Sequence, residues 1–130
     1  MIRPYLSFDG QCEAAFGLYE RAFGGKIEYM EKYGDHAPDP AMRDRVRHAE
    51  MQLTETGGIA GADAAAPFQR GEDVSLMIRV GAEAKLRAIW AVLAESGTVI
   101  AELAPFENNG LMGALRGRYG FTWIFTLSGQ

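Results

Sequence analysis

The spacing of apolar residues along the chain changes several times, and each change marks an element. Residues 2–8 are rich in apolar and aromatic side chains and read as a strand, which Asp9-Gly10 ends. From Gln11 the period lengthens. Cys12, Ala15, Phe16, Tyr19, Ala22 and Phe23 fall on one stripe of an α-helix, with Glu13 in the first turn and Gly24-Gly25 as a C-terminal stop. Residues 26–33 read as a strand. Residues 34–43, with two prolines and two aspartates, read as a loop. Residues 45–54 alternate again: Ala49, Met51 and Leu53 lie on one face, His48, Glu50 and Gln52 on the other. Glu55 to Gly58 predicts a hairpin, and residues 59–63 a short return strand.

After an alanine-rich connection at 64–71 the same order repeats. Val74, Leu76, Ile78 and Val80 alternate with Ser75, Met77 and Arg79. Leu86, Ile89, Trp90 and Leu93 form a second helical stripe, stopped by Gly97. Residues 98–103 read as a strand, 107–110 as a turn, and 111–116 and 121–127 as strands joined through Gly117-Arg118-Tyr119-Gly120. The chain is thus a strand-helix-strand-strand-strand unit used twice. We expect one domain over 1–130, with a first βαβββ module at 1–63, a linker at 64–71 and a second module at 72–130. Each helix covers one sheet face and leaves the other open. The expected class is therefore α+β: two βαβββ modules forming a curved mixed sheet, helices outside and a concave face within. Gly25 to Gly58 spans 33 residues and Gly97 to Gly120 spans 23, so loop 34–43 is an insertion. It is a lid, a dimer arm or a plain surface excursion.

Composition narrows the class. The chain has 130 residues, 48% of them apolar, which suits one globular domain. The net charge of −4 offers no surplus to neutralise a phosphate backbone, so no nucleic-acid partner is expected. Cys12 is the single cysteine, so no intrachain disulfide or zinc ribbon forms. No run approaches the roughly 20 apolar residues of a membrane helix, and residues 1–5 carry no leader pattern. The expectation is a cytoplasmic protein without a membrane partner.

Pro4-Tyr5-Leu6-Ser7-Phe8-Asp9-Gly10, then Leu18-Tyr19-Glu20-Arg21-Ala22-Phe23-Gly24-Gly25, resembles the opening of PhnB-like members of the glyoxalase/bleomycin-resistance/dioxygenase (vicinal oxygen chelate) superfamily. Arg47-His48-Ala49-Glu50-Met51 resembles the family's central His-Ala-Glu strand, and Arg118-Tyr119-Gly120-Phe121-Thr122-Trp123 its closing segment. Gly117 stands where that segment usually begins with aspartate. The resemblance implies the two-module fold, a homodimer and a small-molecule site. Relatives often carry a 3-demethylubiquinone methyltransferase label. No glycine-rich loop follows a strand and opens a helix here, so the residues do not support that chemistry.

The superfamily's metal ligands come from the first strand of each module and from the last strands. Here those strands offer Arg3, Pro4, Tyr5 and Ser7; Ser75, Met77 and Arg79; and Thr122, Trp123 and Ile124, with no histidine or carboxylate among them. A catalytic divalent metal needs about three protein ligands and an open position, so no metal or other cofactor is expected. A minority alternative places one at His48, Glu50 and Asp63. Two functions follow, beside a third reading as a dimeric scaffold without a ligand. The first is binding of a small, anionic organic molecule in the concave face, lined by Tyr5, Ser7, His48, Glu50, Met77, Arg79, Arg116 and Trp123. There Arg79 would grip a carboxylate or phosphonate-type oxygen. The second is an atypical lyase or isomerase in which His48 and Glu50 transfer protons. Met30 and Met112 either line the cavity or fill core. Trp90 and Cys12 read as core, His36 as exposed, and Arg43, Arg45 and Arg47 as a charged, solvated sheet edge.

Overall fold

A computed structural model describes residues 1–127, so the last three residues of the expected second module lie outside the described residues. The chain divides into two compact units, the first Met1–Gln69 and the second beginning at Arg70. In the first unit β1 (Tyr5–Phe8) leads into α1 (Cys12–Phe23), followed by β2 (Lys26–Lys32), β3 (Val46–Gln52) and β4 (Gly58–Asp63). The second contains β5 (Ser75–Val80), α2 (Glu83–Glu95), β6 (Thr98–Phe106), β7 (Gly110–Arg116) and β8 (Thr122–Leu127). Loop 34–43 folds into two short 3-10 turns, Gly34–His36 and Pro40–Met42. The Asp39 carboxylate accepts the Ala41 N–H to start the second.

The strands form two four-stranded mixed sheets, one per unit, where the sequence predicts a single curved one. Their orders are β1-β4-β3-β2 and β5-β8-β7-β6. In each, the first and last strands of the unit pair in parallel and the rest antiparallel. Sequence patterning carries the alternation of faces but not the ladder that joins one strand to the next, so it cannot tell one sheet of eight from two of four.

This topology corrects one reading. Arg43, Arg45 and Arg47 do not charge an exposed edge: Arg43 and Arg45 precede β3, and Arg47 lies on it, an inner strand with β2 and β4 on either side. Each arginine meets its own carboxylate: Arg43 with Asp35, Arg45 with Asp9 and Arg47 with Glu31.

The helix stripe and the inward strand positions make the first core. Phe8, Cys12, Ala15, Phe16, Ala49 and Met51 are fully buried, with Phe8 and Phe16 edge to face at 6.2 Å. Gly24, at φ 70°, closes α1 in the left-handed conformation that glycine accepts without strain, its N–H reaching the Glu20 carbonyl. Beneath the helix, Gly61 lets β4 approach β1. A Cβ there would stand 2.7 Å from the Leu6 carbonyl oxygen and 3.4 Å from the Phe16 ring.

α1 lacks a side-chain cap at Gln11. Asp63 at the end of β4 supplies one from across the fold. Its carboxylate, 1% exposed, accepts the N–H of Cys12 at 3.1 Å and the N–H of Val46 at 2.8 Å. One buried anion thus ties the helix start to the strand that carries His48.

The second unit follows the same plan. Leu86, Ile89 and Leu93 of α2 are buried, and Trp90 meets Phe125 edge to face at 5.4 Å. β6 runs three residues past its expected end, to Phe106. Asn108 and Asn109 then turn the chain at positive φ.

Candidate functional site on the open face of the first sheet

Residues opposite one another in a ladder share a face, so the registers define the side not covered by α1. Tyr5 lies opposite Ala60, Ala60 opposite Glu50, and Glu50 opposite Tyr29, while Glu31 lies opposite His48. The open face therefore carries Tyr5 and Ser7, then Ala60 and Ala62, then His48, Glu50 and Gln52, then Tyr29 and Glu31. The alanines of β4 leave a trough between β1 and β3, across which larger side chains meet.

Tyr5 crosses that trough. Its hydroxyl stands 3.1 Å from His48 Nδ1, and the two rings stack with centroids 5.7 Å apart. His48 Nε2 lies 2.9 Å from Glu50 Oε2. Residues two apart on a strand sit roughly 6.5–7 Å from one another along it, yet these side chains touch. The register shifts beside His48, between Glu31 and Lys32. Such bulges re-aim side chains.

One neutral tautomer satisfies the whole chain of contacts: Nε2–H donates to Glu50, and the Tyr5 hydroxyl donates to Nδ1. Burial, then the negative charges of Cys12, Tyr33 and Glu50 when ionised, push the Tyr5 phenol above its ordinary range. The phenol at the exposed end of the chain therefore stays protonated, with its one O–H given to His48 and its oxygen lone pairs facing out.

Behind Glu50 stands Arg3, with a side chain only 11% exposed. Its guanidinium donates to Glu50 Oε1 at 3.3 Å and Gln52 Oε1 at 2.7 Å, and pairs with Glu28 at 2.9 Å. On the far side of His48, the Tyr29 ring lies 5.9 Å away. The Tyr29 hydroxyl donates a short hydrogen bond to Glu31. That bond pushes the Tyr29 phenol up and holds the Glu31 carboxyl down. Arg3 and Tyr29 were not among the residues expected at the site. Arg3 shares the parity of Tyr5 and Ser7, which was a usable signal. Tyr29 is masked by a second shift, between Ile27 and Tyr29.

The remaining expected residues fall in the second unit. Met77, Arg79 and Arg116 occupy the open face of its sheet, opposite Ile124, Thr126 and Thr122. Arg79 is exposed and donates a long 3.4 Å bond from Nε to Thr126. Arg116 pairs with Glu72 at 2.9 Å. Trp123 is not on that face. It lies opposite Leu76 and Leu115 and is fully buried on the side of α2, so it is core rather than lining.

Asp63 does not join His48 and Glu50. It lies opposite Phe8, on the helix side, with both oxygens committed to backbone N–H groups. Among the described residues, no group of three or more His, Cys, Asp or Glu side chains is placed to hold a metal ion. The superfamily's ligand positions carry hydroxyl, thioether, guanidinium and apolar groups, a donor set that does not fit a divalent metal.

The 3-demethylubiquinone-9 3-methyltransferase family model matches residues 1–126. No curated protein matches the chain. Among solved structures, protein PA1353 from Pseudomonas aeruginosa is 29% identical, with a TM-score of 0.86 over 100% of this chain and 98% of that one. A Bacillus cereus PhnB protein is 24% identical, with a TM-score of 0.83 over 98% of each chain. Its name also includes 3-demethylubiquinone-9 3-methyltransferase. A glyoxalase/bleomycin resistance protein/dioxygenase family enzyme from Burkholderia phytofirmans PsJN shares the fold at 13% identity. Its TM-score is 0.66 over 95% of each chain. The full-length likeness expected from the sequence motifs is thus found.

Proposed function

The chain belongs to the family described as 3-demethylubiquinone-9 3-methyltransferase, and from that premise and the site geometry we propose that it binds a small organic molecule on the open face of its first sheet. Membership does not bring methyl transfer with it. The two strand-to-helix junctions, residues 9–11 and 81–82, lack the glycine-rich loop that cradles a nucleotide cofactor.

The supporting observation is the chain of contacts Tyr5–His48–Glu50–Arg3. It presents a protonated phenol beside an alanine-floored trough and holds each polar group behind it in place. With its one proton engaged by His48, the phenol oxygen offers an ordered acceptor to a hydroxyl or N–H of the ligand, with the Ser7 hydroxyl alongside. Arg79, Arg116 and Met77 would offer the second sheet's open face to an anionic group. The reading includes a homodimer, for which the exposed apolar side chains of edge strand β6, Ile100 and Phe106 among them, are the support.

The same geometry favours a second reading, proton transfer by His48 and Glu50, because the imidazole sits between a hydroxyl and a carboxylate at hydrogen-bond distance. One experiment separates the two. A thermal-shift screen of small organic acids, carbonyl compounds and divalent metals identifies stabilising compounds, which are then titrated into Tyr5→Phe and His48→Ala. A binder loses roughly three- to tenfold in affinity, the worth of one neutral hydrogen bond. An enzyme loses nearly all turnover in His48→Ala while still binding. Ligands that bind both variants as well as the wild type would sink the proposal.

A further inference from the structure

We propose a second small-molecule site in the first unit, where β1 and β4 end, that takes an amphipathic organic anion: one carboxylate or sulfonate on a compact apolar body. A cavity of about 360 Å³ lies there, formed by Asp9, Met42, Arg45 and residues 64–68. That volume is in the range of small-ligand pockets, roughly 300–1,000 Å³. The site is separate from the open face. Its walls are the segments that follow β1 and β4, together with the turn before β3.

The lining is mixed, with polar surface about equal to apolar and the Asp9–Arg45 ion pair as its charged part. Met42, three alanines at 64–66, Pro67 and Phe68 supply the apolar surface, and the alanines create the space. Backbone hydrogen bonds hold both walls: the Ala64 N–H donates to the Phe8 carbonyl at 2.8 Å, and the Arg45 N–H to the Met42 carbonyl at 2.9 Å. The guanidinium of Arg45 lies flat against the chain at Gly10, where a Cβ would approach its Cζ to 3.3 Å. Gly10 thus leaves the room that Arg45 occupies, and the Asp9 carboxylate holds the guanidinium there.

Arg45 meets Asp9 at 3.0 Å, but the Asp9 side chain is 83% exposed. An ion pair that open to water is weak, so Asp9 can swing away and give the guanidinium fork to a ligand carboxylate, whose apolar body rests against Met42, Pro67 and Phe68. A cation would meet Arg45, and a neutral apolar molecule would leave the fork unused. An anion with an apolar body satisfies both parts of the lining.

The test is calorimetric titration of the full chain with 4-phenylbutyrate. Saturable 1:1 binding is expected. Arg45→Met, which keeps the apolar stem, weakens it about tenfold or more. Ala65→Trp, which fills the cavity, removes it. Asp9→Asn strengthens it severalfold, because the competing carboxylate is gone. Arg87→Gln, an exposed arginine of α2 paired with Glu83, leaves it unchanged. Absence of saturable binding to the wild type overturns the proposal, as does equal binding to wild type and Arg45→Met, or weaker binding to Asp9→Asn. A loss confined to His48→Ala would move the probe to the open face, contradicting this site while supporting the first.

Discussion

Asp63→Ala is expected to lower the stability of the first unit by roughly 3–5 kcal/mol, because it strands two buried N–H groups that now donate to a charged acceptor. For a chain of this size that corresponds to a fall in melting temperature of about 10–20 °C. Asp63→Asn keeps one acceptor oxygen and should cost roughly half as much. The effect is large because Asp63 does the work of a helix cap for α1 and also fixes the start of β3. Both junctions loosen together, so the loss should exceed the ~1 kcal/mol typical of a missing surface cap. Thermal or urea unfolding of the three proteins measures it. A loss under about 1 kcal/mol in Asp63→Ala would mean that the helix start finds another partner.

The second large effect concerns Cys12, the first residue of α1. Burial, followed by the nearby charges of Asp63 and Glu13, pushes its thiol from 9.0 up to about 12. Three pH units amount to about a thousandfold less thiolate, and the thiolate is what reacts. Alkylation by iodoacetamide at pH 8 should therefore be about a thousandfold slower, or more, in the native protein than in the urea-unfolded chain. Linkage sets the pH dependence. Between the unfolded value near 9 and the folded value near 12, the unfolded chain binds fewer protons than the native one. The contribution of this thiol to stability is thus fully present below about pH 9 and is lost as pH rises towards 12. Native-state alkylation at the unfolded rate would show that Cys12 is not held against Asp63.

Much of this arrangement is legible in the sequence, because period alone decides which residues face a helix. The stripe from Cys12 to Phe23 and the alternation of Ala49 and Met51 against His48 and Glu50 place both the first core and the site-bearing face. Trp123 was assigned to the wrong face although alternation marks the direction there: it shares parity with Phe125 and Leu127, both apolar, while Thr122 and Thr126 mark the open side. Its pairing with Leu76 and Leu115 decides the matter. Asp63 was misplaced for another reason. An acidic residue ending a strand looks exposed until the N–H groups that it serves, contributed by Cys12 and Val46, come into view. Tyr29 depends on parity across a bulge, which a single segment does not encode, whereas Arg3 was readable from the parity it shares with Tyr5 and Ser7.

On the proposed function, ligand meets this protein through the Tyr5–His48–Glu50 chain of contacts. The chain has two histidines, and His36 lies exposed in the loop at 34–43, so it serves as an internal reference. Side-chain 15N resonances of both rings should be followed while a stabilising organic acid is added. Saturable movement of the His48 nitrogens, with His36 still and the response blunted in Tyr5→Phe, is the result expected. A ligand that raises the melting temperature and saturates while His48 does not move would contradict the account.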